Sequence, residues 1–247
     1  MDNLSGHIAK VWDKWAADND VWTTPISHEA FADIANGRYH ITVTCQKDIP
    51  RAWYGDVTGK ALLGLAAGGG QQMPVFAALG ADVTVLDYSD KQLDAERTVA
   101  EREHYDIQII KGDMAKRLPF ADESFDIIIN PVSVCYAEDA EHVWRECRRV
   151  LKPGGVLIAG FGNPFQMALD ENGTVAYKLP RNPLKDNTPE ELEAILAGDD
   201  GVYFSHSLDT LIGGQARAGL CLTDLYEDYH FGATLAPTYI ATRTVKA

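Results

Sequence analysis

The sequence predicts an α/β fold with a doubly wound, mostly parallel sheet, and three observations lead there. From Ala61 to Gly160, short apolar runs of strand length alternate with amphipathic helical stretches, the rhythm of successive βαβ units. One of these runs, Phe125–Asn130, is apolar on both faces, as a central strand of a parallel sheet should be. The first run, Ala61-Leu62-Leu63-Gly64-Leu65, opens into Ala66-Ala67-Gly68-Gly69-Gly70-Gln71-Gln72 and then a helical pattern. A strand, a glycine turn and a helix in that order set bare backbone N–H groups beside a helix N-terminus.

Taken in order, Ile8 to Ala17 carries Val11, Trp12 and Trp15 at helical spacing, with Trp22 beyond. This reads as a short amphipathic helix packed on the domain, or as a lid whose aromatics close over a ligand. Phe31 to Trp53 holds aromatics, His40 and Cys45 without a clean period, and Pro50 and Gly55 to Gly59 punctuate the approach to the first strand. Ala61–Leu65 is too short for a helix and reads as a buried strand. Pro74 falls in the first turn of the following helix, where its missing N–H is not needed.

The second strand, Asp82–Leu86, ends in Asp87. That is about 20 residues past the glycines, where nucleotide-binding βαβ units place an acid for ribose hydroxyls. Ser89 and Gln92 form a capping box opening a helix to about Glu103, with Leu93 and Ala100 on one face. Asp106–Ile110 is a third strand, followed by the turn Lys111-Gly112-Asp113-Met114. Phe125–Asn130 is the fourth, stopped by Pro131. Asp139 to Leu151 is a helix with Val143, Cys147, Val150 and Leu151 on one stripe, ended by Lys152-Pro153-Gly154-Gly155. Val156–Gly160 is the fifth strand.

The rhythm then changes. Asn172-Gly173 reads as a hairpin turn, Asn182 to Asn187 as loop, and Thr188-Pro189-Glu190-Glu191 as a strongly capped helix start ending near Gly198. Residues 163–205 therefore look like an insertion. Ser207 opens another helix to about Gly219, and Leu220–Leu225 and Tyr239–Val245 supply two last strands. The expected organisation is an N-terminal helical lid or cap over 1–58 and one main domain over 59–247 that carries the insertion.

With 247 residues and 46% hydrophobic content, the chain can bury a sizeable core. It has no uninterrupted run of 18 apolar residues, so no membrane span is expected. Met1 to Asp20 lacks an apolar signal core, which makes a cytoplasmic location the expectation. A formal net charge of −14 repels phosphate backbones and anionic lipids. It disfavours nucleic acid as a partner and favours a neutral or cationic small molecule. The four cysteines, Cys45, Cys135, Cys147 and Cys221, form neither a C-x-x-C nor a Cys/His cluster of zinc spacing, so no metal is expected. They read as small buried hydrophobes, with a catalytic thiol at Cys135 as the alternative.

These marks together resemble the class I S-adenosylmethionine-dependent methyltransferases, in the small-molecule, type 11 form that includes the ubiquinone and menaquinone C-methyltransferases. The residues that carry the resemblance are Gly68-Gly69-Gly70 after the first strand, Asp87 after the second and Gly112-Asp113-Met114 after the third. Arg149-Val150-Leu151-Lys152-Pro153-Gly154-Gly155 before the fifth completes the set. The last is the most telling, because a glycine fingerprint alone also suits dehydrogenases. The resemblance spans Gly59 to Gly160 well and Leu208 to Lys246 more loosely. It implies a Rossmann-like, seven-stranded sheet with an antiparallel last strand.

It also implies that S-adenosylmethionine is the cofactor. Ala66, Ala67, Gly68 and Gly70 would then lie along its methionine part, and Asp87 would hold the ribose hydroxyls. Tyr88 would line the adenine, Asp113 would accept from the adenine amino group with Gly112 and Met114 beside it, and Asn130 would sit by the sulfonium. One departure matters: where the family usually carries an acid late in the first strand, this chain has Gly64, and the first glycine of its loop is Ala66. The amino end of the cofactor loses a usual carboxylate partner, and Gln71 and Gln72 are candidates to replace it.

Methyl transfer from a positively charged sulfur is largely a matter of alignment and desolvation. A base is needed only if the acceptor must shed a proton. His40, His142 and His206 are candidates, Tyr136 is a possible orienting group, and none is singled out. Aromatics in the N-terminal segment and the insertion (Trp12, Trp15, Trp22, Tyr39, Tyr177, Tyr203, Phe204) suggest an apolar or aromatic acceptor pocket. Two other readings remain at this point. One is a nicotinamide-dependent oxidoreductase, although the third glycine of G-x-G-x-x-G is replaced by Met73. The other is a binding protein that kept the fold without the catalysis. Substrate and oligomeric state are not legible.

Overall fold

The computed structural model describes residues 2–170, 172–199, 201–232 and 236–247. Its sheet has seven strands: β1 (Ala61–Leu65), β2 (Asp82–Asp87), β3 (Gln108–Lys111), β4 (Phe125–Asn130), β5 (Leu151–Gly162), β6 (Leu220–Asp228) and β7 (Tyr239–Lys246). They lie in the order β3-β2-β1-β4-β5-β7-β6. Pairing is parallel from β3 through β5, and β7 runs antiparallel to both of its neighbours. The helices are α1 (Asp2–Ala17), α2 (His28–Ile34), α3 (Arg51–Tyr54), α4 (Gln72–Ala78), α5 (Asp90–Glu103), α6 (Ala140–Val150), α7 (Pro183–Asp186), α8 (Pro189–Ala197) and α9 (Gly214–Arg217). None is long and apolar enough to cross a membrane, among the described residues.

The period-two alternation of the strands splits the core into two layers. Leu62, Val83, Val85, Ile127 and Ile158 point to one face, where Met73 and Phe76 of α4 and Leu93 of α5 cover them. Leu63, Leu65, Leu86, Ile128 and Leu157 point to the other, against Trp144 and Cys147 of α6. The order reverses direction at β1, with β2 on one side and β4 on the other. Open α/β sheets form a ligand crevice at that switch point, beyond the carboxyl ends of the strands.

Several expected boundaries move. Lys152-Pro153-Gly154-Gly155 does not lie outside the sheet: Leu151 already pairs with Phe125, and the four residues ride a register shift within β5. Lys152 Nζ and the Ala61 N–H both donate to Asp126 Oδ2, at 2.8 and 3.0 Å, which ties the bulge to the start of β1. β3 starts two residues later than expected, at Gln108, while α5 ends at Glu103 as expected, closed by the left-handed His104 (φ 58°). The helix expected from Ser207 begins with a π-helical turn, Asp209–Gly213, and becomes α-helical only at α9.

A segment without clean period, residues 41–45, crosses the top of the sheet. It can do so because Gly160 of β5 has no side chain: a Cβ there would collide with the Val43 carbonyl. Asp228 at the end of β6 then anchors the segment. Its Oδ2 accepts from Thr44 Oγ1 (2.7 Å) and from the N–H groups of Cys45, Gln46 and Lys47 (2.8–3.0 Å). Burial alone would raise this carboxyl, but those donors outweigh it and bring it to about 2.

Candidate functional site

A cavity of about 1050 Å³, counted out to its mouth, opens over the carboxyl ends of β1 to β4. Ten of the twelve residues that the sequence singles out line it: Ala66, Ala67, Gly68, Gln71, Gln72, Asp87, Tyr88, Gly112, Asp113 and Met114. Gly70 does not: its N–H donates to Glu96 Oε1 at 2.8 Å, and a Cβ on it would meet Val99 and Pro25 rather than the cavity. Asn130 does not either. It is fully buried behind the cavity floor, and its Nδ2 donates to the Leu65 carbonyl and to Ser133 Oγ, both at 2.8 Å.

The glycine loop and Asp87 are built against each other. The Gly68 N–H donates to Asp87 Oδ2 and the Ser89 N–H to Oδ1, both at 3.0 Å. A Cβ on Gly68 would come within 2.7 Å of Gln92 Cβ and 3.0 Å of that carboxylate oxygen, so only glycine lets the loop approach α5 this closely. Burial pushes the Asp87 carboxyl above its ordinary range, and the N–H groups of Ser89, Gly68 and Tyr88 offset part of that rise.

Ala66, at the first loop position, has φ 49°, the left-handed region that disfavours a Cβ. Strain of this kind concentrates at functional loops. Ala66→Gly is expected to raise unfolding free energy by roughly 0.5–1 kcal/mol, as read by urea denaturation. No gain would mean that the loop relaxes around the alanine.

The N-terminal helix closes one side of the cavity. Ser5 Oγ donates to Asp113 Oδ2 at 2.7 Å. Asp13 accepts from Ser89 Oγ at 2.6 Å and from the Lys91 N–H at 3.1 Å. Ser5, Ile8, Ala9 and Trp12 all face the cavity, so α1 both packs on α5 and roofs the site. Gln71 Nε2 extends the clasp by donating to the carbonyls of Trp22 and Thr24, each at 3.1 Å.

Sequence reasoning missed Ser5, Thr42, Thr44, Gln92 and Ser133 as lining residues. Gln92 was legible only as a helix cap. Its backbone N–H does donate to Ser89 Oγ at 3.1 Å, but its side chain leaves the box half made and turns to the cavity, with Nε2 buried and unpaired among the described residues. An unpaired buried donor costs free energy unless a ligand oxygen meets it. With the Asp87 carboxylate and the glycine cradle, it fits a ligand that carries hydroxyls and a polar chain.

A second cavity of about 1080 Å³ adjoins the first and shares Trp12, Trp22, Val132 and Tyr136 with it. Its other walls include Trp15, Cys135, Phe161, Tyr203, Phe204, His206 and Tyr239, and no Asp, Glu, Lys or Arg is among its described lining residues. Tyr136 stands between Trp12 and Tyr203, with ring centroids at 6.1 and 5.4 Å. Burial pushes the Cys135 thiol up to about 12, so it is not a thiolate near neutrality. Of the candidate bases only His206 lines this cavity. Its Nε2 lies 2.9 Å from the Ala137 carbonyl, and burial keeps the ring below its usual pKa. His40 is exposed on Asp48, and His142 lies on α6 outside both cavities. Tyr39 and Tyr177, expected in the pocket, instead hold the guanidinium groups of Arg51 and Arg181 over their rings.

Comparison with known proteins bears on this geometry. Residues 63–159 match the model of the methyltransferase domain family. An uncharacterized methyltransferase of Bacillus subtilis (strain 168), YbaJ, is 40% identical over 255 residues, covering 100% of both chains. The demethylmenaquinone methyltransferase of Renibacterium salmoninarum is 39% identical over 111 residues, 44% of this chain and 45% of its own. Among solved structures, an S-adenosylmethionine-dependent methyltransferase from Mesorhizobium loti superposes with a TM-score of 0.60 at 22% identity, over 79% of this chain and 94% of its own.

Proposed function

The chain belongs to the S-adenosylmethionine-dependent methyltransferase family, and from that premise we propose that it methylates a small apolar or aromatic molecule held in the second cavity. The observation that carries this reading is the wall common to both cavities. Trp12, Trp22, Val132 and Tyr136 face each of them, so a cofactor in one and an acceptor in the other would meet there without crossing bulk water.

In this reading Asp87 accepts from the ribose hydroxyls, Gln92 Nε2 donates to an oxygen beside them, and the glycine loop lies along the methionine chain. Asp113 and the Met114 backbone border the adenine. Bound S-adenosylmethionine supplies an electrophilic methyl group. The chain itself aligns the acceptor and excludes water, work suited to aromatic walls that lack charged groups. With no carboxylate among the described lining residues, a neutral acceptor fits better than a cationic one. The segments 1–58 and 163–205 supply Trp12, Trp15, Trp22, Tyr203 and Phe204, and specificity resides in them.

Titration calorimetry tests the cofactor first. Micromolar binding of S-adenosylhomocysteine, with none of NAD or NADP, is the expected result, and the reverse would overturn the reading. Acceptor screening follows. Tyr203→Ala with Phe204→Ala should weaken the acceptor's KM while S-adenosylhomocysteine affinity holds. Unchanged acceptor KM would place the acceptor elsewhere.

A further inference from the structure

We infer that this chain holds the cofactor's ammonium group with a neutral amide, Gln72, rather than with a carboxylate; the inference rests on the cofactor reading above. Among the described residues two acids line the first cavity, Asp87 at the end of β2 and Asp113 after β3. At the opposite end, where β1 runs into α4, no described lining residue carries a negative charge. The position where the family resemblance expects one is Gly64, buried in β1. A Cβ there would come within 2.5 Å of Met73 Sδ and 2.9 Å of its Cε. Met73 is itself fully buried. The end of the Met73 side chain fills the space beside Gly64, so a side chain there would require the thioether to shift.

An ammonium still requires acceptors when it leaves water. Gln71 and Gln72 both face the cavity. Gln71 is committed elsewhere, its amide nitrogen clasping the Trp22 and Thr24 carbonyls. Gln72 is different. It is 8% exposed at the first turn of α4, and its Nε2 donates to the Thr42 carbonyl at 3.2 Å. That bond fixes the orientation of the amide and leaves Oε1 to accept. Thr42 lies on the segment that Asp228 anchors across the sheet. The acceptor is therefore held by parts of the chain far from the glycine loop.

The test compares two ligands by calorimetry: S-adenosylhomocysteine, which carries the ammonium, and 5′-methylthioadenosine, which shares the adenosine and thioether but lacks it. Gln72→Leu is expected to weaken S-adenosylhomocysteine about tenfold and to leave 5′-methylthioadenosine within about twofold. Gln72→Glu, which keeps an acceptor and adds charge, should bind S-adenosylhomocysteine at least as tightly as the unaltered chain. Equal loss of both ligands in Gln72→Leu would make the residue merely structural and overturn the inference. So would no loss, or a Gln72→Glu variant as weak as Gln72→Leu. If neither ligand binds the unaltered chain, the cofactor reading itself falls.

Discussion

Replacing Glu96 with glutamine is expected to stabilise the fold by several kcal/mol above about pH 8 and to change little below about pH 4. Glu96 is fully buried on the inner face of α5. Its Oε1 accepts the Gly70 N–H at 2.8 Å, and its Oε2 has no partner among the described residues. Burial pushes the carboxyl up to about 8, the Gly70 N–H opposes that, and the nearby Asp87 charge adds to it. Near neutrality the folded chain therefore keeps Glu96 protonated, whereas the unfolded chain, at its ordinary 4.5, has lost that proton. The sign follows: between about 4.5 and 8 the folded state binds more protons, so this residue's contribution to stability falls as pH rises. Its full cost, on the order of 5 kcal/mol, is reached once the buried group ionises. Glutamine has the shape of the protonated acid and keeps the acceptor for Gly70. Urea denaturation of both chains across that range is the measurement. Parallel stability curves would show that Glu96 is ionised in the fold and that water or a rearranged Tyr105 hydroxyl, buried and unpaired among the described residues, satisfies it.

What could be read from the sequence is what local pattern dictates. The run Ala61–Leu65, the glycines and Asp87 each constrain only their neighbours along the chain, and they fall together because β1 and β2 pair in register from Ala61–Asp82 to Leu65–Leu86. The capping signals at Ser89 and Thr188 are local in the same way, and both caps form. The site's remaining features depend on residues far apart in sequence. Asp228 fixes residues 44–47, more than 180 positions away, and no periodicity in Phe31–Trp53 announces it. The exchange of volume between Gly64 and Met73 is invisible until α4 is laid on β1. Gln92 shows the limit most clearly: its spacing from Ser89 satisfies a capping rule, while the closeness of Gly68 sends its side chain to a different task. Among the histidines, sequence offered three equal candidates, and only tertiary placement separates His206 from the other two.

Asp87→Ala is expected to weaken S-adenosylhomocysteine binding by about a hundredfold or more. Two hydroxyl bonds to a carboxylate are at stake, each contributing on the order of 1.5–3 kcal/mol. The same substitution also frees the Gly68 and Ser89 N–H groups, so part of the loss would come from a loosened loop. Asp87→Asn separates the two effects. It keeps an acceptor oxygen for one of those N–H groups but removes the charge, and binding intermediate between the unaltered chain and Asp87→Ala is the expected result. The pH dependence gives an independent reading. Burial raises the carboxyl in the free protein, and hydroxyl donors from a bound ribose favour its ionised form. Binding below the free-protein pKa must then expel a proton, so affinity should fall as the solution is made more acid, and protons should be released to buffer on binding. In Asp87→Asn that acid-side fall should vanish. An unchanged pH profile in Asp87→Asn, or full affinity in Asp87→Ala, would move the ribose away from β2 and require another anchor for the cofactor in this cavity.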